Sequence, residues 1–432
     1  MPALQLPGIV ARLQRSAAVT RVAIRIYRGY KRTQRRVATL PEEQRAAVWE
    51  ARHRAAAHEI AETAKRLRGL YVKAAQFLGA RADLLPEPYI EALSALHDKV
   101  PPQPYAEMRK VLRQELGNDP ERVFARFDRV PVAAASLAQV HRAQLRDGRS
   151  VAVKVQYPDI ERLVRLDLRN LGTILSLVHR FEKNLDFGPL VRAIGRLVPL
   201  ELDFINEGHN TEEIAAALAH RGDVFSPVVV WEYTTRRVLV TEFVDGTKIS
   251  EVEQLRALGL DPGEIAARAV DIWGEQVLRL RHFHADPHPG NIFVMPDGRL
   301  AIIDFGLTAR LAPASRDAAA HLCRAAADRN PFEVMAAFQE LGFHAPDAGQ
   351  PNAYMGLGRN LFGQSDGRIE SVNVRMSRAL RNFRMEGVPG EVLLIMRVLG
   401  LLSGLSARLG HPGPPLPAWR KYAEPPVEAV AS

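Results

Sequence analysis

The sequence predicts an α+β protein of two lobes preceded by a helical extension, and three observations carry that prediction. Strand-like stretches, apolar with β-branched residues and short turn signals, are confined to residues 130–155, 237–246 and 292–303. Most of the remainder has the Ala/Glu/Arg/Leu composition of helices. With 432 residues, 47% of them hydrophobic and 25% charged, the chain is globular and long enough for two or three ordinary domains or one two-lobed enzyme.

Residues 1–40 read as a basic amphipathic arm. The net charge of +9 sits there: residues 1–41 hold nine Lys/Arg and no acid, and removing these nine from the 58 basic residues leaves 49 against 49 acidic ones. Arg21, Arg25, Arg28, Arg32 and Arg35 recur at helical spacing beside an apolar stripe of Val19, Val22, Ile26 and Tyr30. Two readings stay open. Either residues 12–36 lie on an anionic membrane surface, or the stripe packs on the body and leaves the arginines in water. Without interleaved aromatics or a known module, nucleic acid is not expected as a partner. The early arginines interrupt any signal-peptide core, and the apolar run 392–396 is broken by Arg397 and Arg408, so no membrane-spanning helix is expected. A single cysteine, Cys323, excludes an intramolecular disulfide and a multi-cysteine zinc site, which fits a reducing, cytoplasmic setting.

Residues 41–128 form the helical extension, with helices expected over 41–66, 87–96 and 105–116. Between the first two, Lys73 and Gln76 stand three apart on one face of a helix of small apolar residues. By themselves they are an ordinary surface pair.

Residues 129–246 form the smaller, strand-rich lobe. A strand runs into the small-residue loop Ala133-Ala134-Ala135-Ser136, a second strand follows, and after the turn Asp147-Gly148 comes Val151-Ala152-Val153-Lys154. A half-buried lysine on such a strand needs a carboxylate. Glu201, Asp203 and Glu207, interleaved with Leu200, Leu202 and Phe204, are the candidates. The strand over 237–244 leads into a hinge near Glu242 and Val244, whose backbone can meet the edge of a purine base.

Residues 247–410 form the larger helical lobe. Helix 262–280 delivers His284-Ala285-Asp286-Pro287-His288-Pro289-Gly290-Asn291, a strand hairpin follows, and then Asp304-Phe305-Gly306. Asp286 and Asn291 reproduce the D-x-x-x-x-N spacing of a phosphoryl-transfer loop, and Asp304 opens a D-F-G. A carboxylate to orient the attacking oxygen and further oxygen ligands for Mg²⁺ are what that chemistry needs. His284 and His288 flank Pro287 with no cysteine near, which argues against zinc. No A-P-E follows, and residues 313–328 pass directly into helix, so the platform for a peptide substrate is missing. Residues 411–432, with six prolines among the last 21 positions, read as a mobile Pro-rich tail.

In this order the segments over residues 60–410 closely resemble the UbiB family of atypical kinases, the AarF-domain group of isoprenoid-quinone biosynthesis. The resemblance implies a two-lobed protein-kinase-like fold whose added N-terminal helical extension lies over the active site, with ATP and Mg²⁺ as cofactors. Carried over, Lys154 contacts the α/β-phosphates with Glu207 as its ion-pair partner, and Asp286 is the catalytic base or water-orienting group. Asn291 and Asp304 hold Mg²⁺, and Ala133, Ala134, Ala135 and Ser136 cover the phosphates. Glu201 and Asp203 face the extension, where Lys73 and Gln76 stand in a K-x-G-Q motif whose glycine is Ala75 here. The resemblance further implies an isoprenoid lipid or quinone precursor as partner and a peripheral place on the inner membrane face. Alanines in place of glycines keep a second class open, an ATP-switched pseudokinase or binding module. A small-molecule phosphotransferase is the third reading.

Overall fold

The structure is a computed structural model that describes residues 9–79, 86–94, 101–181, 194–195, 198–344, 351, 354–355, 388–411 and 415–424. The chain divides into two compact units. The first comprises Met1–Gly208 with Val229–Phe243, and the second His209–Val228 with Val244–Ser432.

In the first unit α1 (Ile9–Ala38) packs on α2 (Glu42–Leu67), followed by α3 (Leu70–Gly79), α4 (Glu87–Ser94), α5 (Tyr105–Leu116) and α6 (Pro120–Val123). The expected apolar stripe is what α1 presents to the body. Val22 is buried, and Ile26 and Tyr30 pack on Ala56, Ala57, Ala61 and Ala64 of α2, whose short side chains let the helices approach closely. Tyr30 Oη lies 2.6 Å from His53 Nδ1 and 2.7 Å from Tyr89 Oη. At the other end of α1, Arg15 donates through Nε and Nη2 to both oxygens of buried Asp167, at 2.7 and 2.6 Å, and through Nη1 to the Leu67 carbonyl at the end of α2. Arg21, Arg28, Arg32, Arg35 and Arg36 lie exposed, with no ion-pair partner among the described residues, while Arg25 reaches Glu59 at 2.8 Å.

The sheet of this unit contains β1 (Arg126–Phe127), β2 (Ala133–Ala134), β3 (Ala138–Gln144) and β4 (Ser150–Gln156). With a later strand, β6 (Val238–Glu242), the order is β1-β3-β4-β6, β2 also pairs with β3, and every pairing is antiparallel. Strand alternation sorts β4: Val151, Val153 and Val155 point into a core with Met108, Val111 and Leu112 of α5, and Lys154 points to the other face. Because α5 closes the buried face of the sheet and β1 is part of it, the arm, the extension and the smaller lobe are one compact unit rather than three. The helix α7 (Ile160–Phe181) completes this core with Ile160, Leu163 and Val164.

The helix α8 (Phe204–Ala217) gives its first turn to the first unit and the remainder to the second. Residues 209–228, expected in the smaller lobe, belong to the second unit because β5 (Val224–Phe225) pairs in parallel with β10 (Leu300–Ile302). The other strands of that sheet are β7 (Thr247–Lys248) and β9 (Ile292–Val294), in the order β5-β10-β9-β7. The expected hairpin is β9–β10, with Leu300 opposite Val294 and Ile302 opposite Ile292, turned at Gly298 with φ +82. A separate ribbon joins β8 (His282–His284) to β11 (Thr308–Arg310).

Around these strands stand α9 (Val252–Ala257), α10 (Pro262–Glu275), α11 (Pro313–Ala327), α12 (Pro331–Glu340), α13 (Gly390–Arg408) and α14 (Pro415–Ala423). The last corrects the mobile-tail expectation. Trp419 is buried, its Nε1 donates to the Val270 carbonyl at 2.8 Å, and Lys421 and Tyr422 bind Asp271. Proline richness was the misleading signal, since Pro415 opens the helix where a missing N–H costs nothing. By length and composition α13 is long and apolar enough to cross a membrane, a test that the core helix of a soluble protein also passes, and 44% of its apolar window is buried inside the protein.

Between α11 and α12, His321 bridges Glu333 at 2.8 Å and Glu340 at 3.1 Å. Burial opposes the charged imidazole, but the hydrogen bonds to Glu340 and Glu333 outweigh it and hold the pKa above the ordinary histidine value. A raised folded pKa stabilises the fold fully below the unfolded value near about 6.5, and that contribution fades as pH rises through the folded one. Thermal unfolding of His321→Gln beside wild type should therefore show a stability gap that is widest near about pH 6 and closes in alkali.

Candidate functional site

In the first unit the lysine on β4 donates to Glu207 through Nζ, at 2.7 and 3.0 Å to its two oxygens, and stands 5.2 Å from the centre of the Phe204 ring. Glu207 is 3% exposed and Lys154 17%, so the pair is largely dry. Of the three carboxylates weighed from sequence, each has its own place. Glu207 meets Lys154, Glu201 meets Lys73 at 2.7 Å, and Asp203 caps α8 by accepting from the backbone N–H of Ile205 and Asn206. The methyl of Ala75 is buried in the alanine cluster of α2. Gln76 lies on α3, but its side chain is outside the described residues.

The loop Ala133–Ser136 is a tight connection from β2 to β3. The Ala135 N–H donates to the Ala138 carbonyl at 2.8 Å, and Tyr157 Oη donates to the Ala135 carbonyl at 3.0 Å. On β3 His141 is buried against Tyr105 and Phe127; burial lowers its pKa, so the ring is neutral. Its Nδ1 faces the Asp128 carbonyl and must carry the proton, which leaves Nε2 to accept from Gln139 at 2.9 Å. Glu242 ends β6 in an exposed position opposite Val151, and Val244 is the first residue but one after it, where the second unit resumes.

In the second unit α10, capped by Asp261, runs into a π-helical turn, Gln276–Leu280, and then into β8. That turn aims Gln276 Oε1 at the backbone N–H of His284, and Trp273 Nε1 donates to the His284 carbonyl. His284 is fully buried, and desolvation drives its pKa down against the pull of Asp286 and Asp304. The neutral ring has one consistent tautomer: Nδ1 accepts from the Asp286 N–H at 3.3 Å, so Nε2 donates to the Asp304 carbonyl at 2.9 Å. One imidazole thus ties the loop of Asp286 to the D-F-G, with Phe305 edge-on to it at 5.2 Å. Asp304 is exposed with φ +63, a left-handed conformation that a non-glycine residue keeps only where its surroundings impose it.

His288 is a local cap, accepting from the Gly290 N–H at 3.1 Å. Asn291 donates through Nδ2 to the Asp286 carbonyl at 3.2 Å, which leaves Oδ1 as its open donor atom. Asn291 Oδ1 and the Asp304 carboxylate are hard oxygen donors, a set that fits Mg²⁺. No cluster of three or more His, Cys, Asp or Glu suited to a metal occurs among the described residues. Asp286 is held by Arg397 of α13, whose Nη2 donates to Oδ1 at 2.7 Å.

The sequence reading missed Arg397, Gln276, Tyr157 and the Gln139–His141 pair. For Arg397 the sequence carries a signal: it stands alone amid the apolar run Val392–Leu402, and a charge buried there requires a partner.

The antiparallel sheet with its lysine–glutamate pair, and the loop, hairpin and D-F-G of the second unit, together define a protein-kinase-like chain. It belongs to the family described as ABC1 atypical kinase-like domain, whose model matches residues 95–338. AarF domain-containing protein kinase 1 of Xenopus tropicalis is 30% identical over 83% of this chain and 71% of its own length. AarF domain-containing kinase 1 of Drosophila melanogaster is 35% identical over 60% of this chain. The Arabidopsis thaliana protein ACTIVITY OF BC1 COMPLEX KINASE 8, chloroplastic, is 35% identical over 68%. This chain spans only 51% and 40% of the length of those last two relatives. Among solved structures, the complex of Rv3197 with erythromycin from Mycobacterium tuberculosis matches 88% of this chain and 99% of its own. The TM-score is 0.61 and the identity 24%, a likeness of fold.

Proposed function

We propose that this chain is a Mg²⁺-dependent ATPase or small-molecule and lipid kinase that supports isoprenoid-quinone or related lipid metabolism at the inner face of a membrane. The observation that carries it is the buried Lys154–Glu207 pair, which fixes an amine of the kind that meets α/β-phosphates. In this reading Asp286 orients the attacking hydroxyl or water, and Asn291 and Asp304 hold the ion, which when bound neutralises phosphate charge. The loop Ala133–Ser136 covers the phosphates, and the backbone at Glu242 and Val244 meets the adenine. The extension, with Lys73, Gln76, Glu201 and Asp203, excludes peptide acceptors. The exposed arginines of α1 supply the attraction to anionic lipid.

ATP turnover by the full chain, with and without vesicles containing anionic lipid, tests this beside Asp304→Asn. Wild type should hydrolyse or transfer phosphate at least about a hundredfold faster, and equal rates in every condition would sink the proposal.

A second reading, an ATP-switched pseudokinase or binding module, is favoured by the alanine loop. Its Ala135 N–H and C=O are already engaged inside the protein, so fewer backbone donors remain for phosphates. Nucleotide-dependent stabilisation without turnover under any lipid condition would select it.

A further inference from the structure

Among the described strands β8 pairs with β11 alone, in a ribbon two strands wide. The backbone N–H and C=O of His284 are buried and must be met by something other than a further strand. Both go to side chains that enter from α10 and its π-helical end. Gln276 Oε1 accepts from the His284 N–H at 2.9 Å, and Trp273 Nε1 donates to the His284 carbonyl at 2.8 Å. Trp273 and Gln276 stand three apart, so they share a helical face, and both are fully buried with His284 between them and the site.

The peptide group held in this way belongs to the residue on which the geometry of the site turns. His284 Nδ1 accepts from the Asp286 N–H, and Nε2 donates to the Asp304 carbonyl. A rotation of the His284 peptide would carry the ring with it and break one of these bonds or both. Asp304 keeps φ +63 only while its surroundings impose it, and the bond from His284 is one of the restraints. The π turn serves the same end. It takes one residue more than an α turn, which turns the chain that follows by about 100°, and it closes on Arg281 with φ +59. A buried amide at the head of that turn is costly unless its bond is needed.

We propose that Gln276, together with Trp273, is a positioning residue for phosphoryl transfer: the two clamp the His284 peptide and so hold the Asp286 loop and the D-F-G in fixed relation. This rests on reading those two segments as the phosphoryl-transfer site.

The test compares the full chain as wild type with Gln276→Met, which keeps length and bulk but lacks the acceptor. Gln276→Glu keeps the oxygen and gives up only Nε2, a group with no partner among the described residues. A carboxyl so deeply buried stays protonated, and its carbonyl oxygen still accepts. Phe338→Leu, at a buried position on α12, is the control for stability lost elsewhere.

Two NMR readouts need no turnover. One is exchange of the Asp286 amide, which bonds the His284 ring and not Gln276. The other is the tautomer of His284, read from its imidazole nitrogens and identified by their loss in His284→Gln. Wild type should hold the Nε2–H tautomer alone. In Gln276→Met the second tautomer should appear and Asp286 should exchange at least about tenfold faster, whereas Gln276→Glu and Phe338→Leu should match wild type. For ATP turnover, Gln276→Met should lower kcat about tenfold to a hundredfold with KM changed less than about twofold, and Gln276→Glu should restore it.

An Asp286 exchange rate and His284 tautomer that Gln276→Met leaves unchanged overturn the proposal. So does a kcat equal to wild type in that variant, or a Phe338→Leu chain that reproduces the same changes. If wild type and Asp304→Asn turn over ATP equally, the ATPase reading fails, and the NMR readouts still decide whether Gln276 sets the geometry of the loop. Should Gln276→Met not fold, Trp273→Phe, which removes only the donor to the His284 carbonyl, takes its place with the same outcomes.

Discussion

Trp419→Ala is expected to destabilise the second unit by about 3–5 kcal/mol, among the larger effects of any single truncation in the chain. The indole is 2% exposed, and its Nε1 donates to the Val270 carbonyl of α10. It stands against Gly274, where an added Cβ would come 2.4 Å from its Cδ1. Truncation therefore removes a large buried surface, opens a void that two helices must collapse to fill, and leaves a carbonyl without its indole donor. Gly274→Ala attacks the same contact from the other side: the new methyl has no room, so the ring or α14 must move. Urea unfolding followed by circular dichroism checks both. A Trp419→Ala loss within about 0.5 kcal/mol, as for a surface position, would mean that residues 415–423 are the solvated tail that their prolines suggest.

What was legible in the sequence is what alternation and spacing encode. The V-A-V-K strand placed three valines inward and Lys154 on the opposite face, and β4 does this because side chains alternate whatever surrounds them. The D-x-x-x-x-N and D-F-G spacing gave the loop and hairpin of the second unit for a similar reason, since a short turn fixes which residues return beside each other. Contacts between segments far apart in sequence were not legible. Arg397 lies 111 residues from Asp286, and no local pattern says that they meet. The same holds for residues 209–228, whose short β5 is recruited by β10 through backbone pairing that leaves little trace in composition. The arm was ambiguous because an amphipathic helix looks the same whether its apolar stripe faces lipid or alanines. Arg15 resolves that in part, since its grip on Asp167 anchors one end of α1 to α7.

Lys154→Met is expected to cost about 3 kcal/mol of stability, because it takes the amine away from a carboxylate that is 3% exposed. Glu207→Gln should cost less, since Lys154 keeps access to water and to the face of Phe204. The double variant Lys154→Met, Glu207→Gln should recover part of the loss, because a buried pair replaced as a whole leaves no stranded charge. Nucleotide response should not recover with it. If Lys154 serves the phosphates, Mg²⁺-ATP stabilisation measured by thermal unfolding is lost in both variants that lack the amine, including the one whose fold is restored. Stability and binding then separate, and a purely structural role for the pair would not separate them. A double variant that regains both, or a Lys154→Met chain that still responds to Mg²⁺-ATP as wild type does, would place the phosphate contact on some other residue.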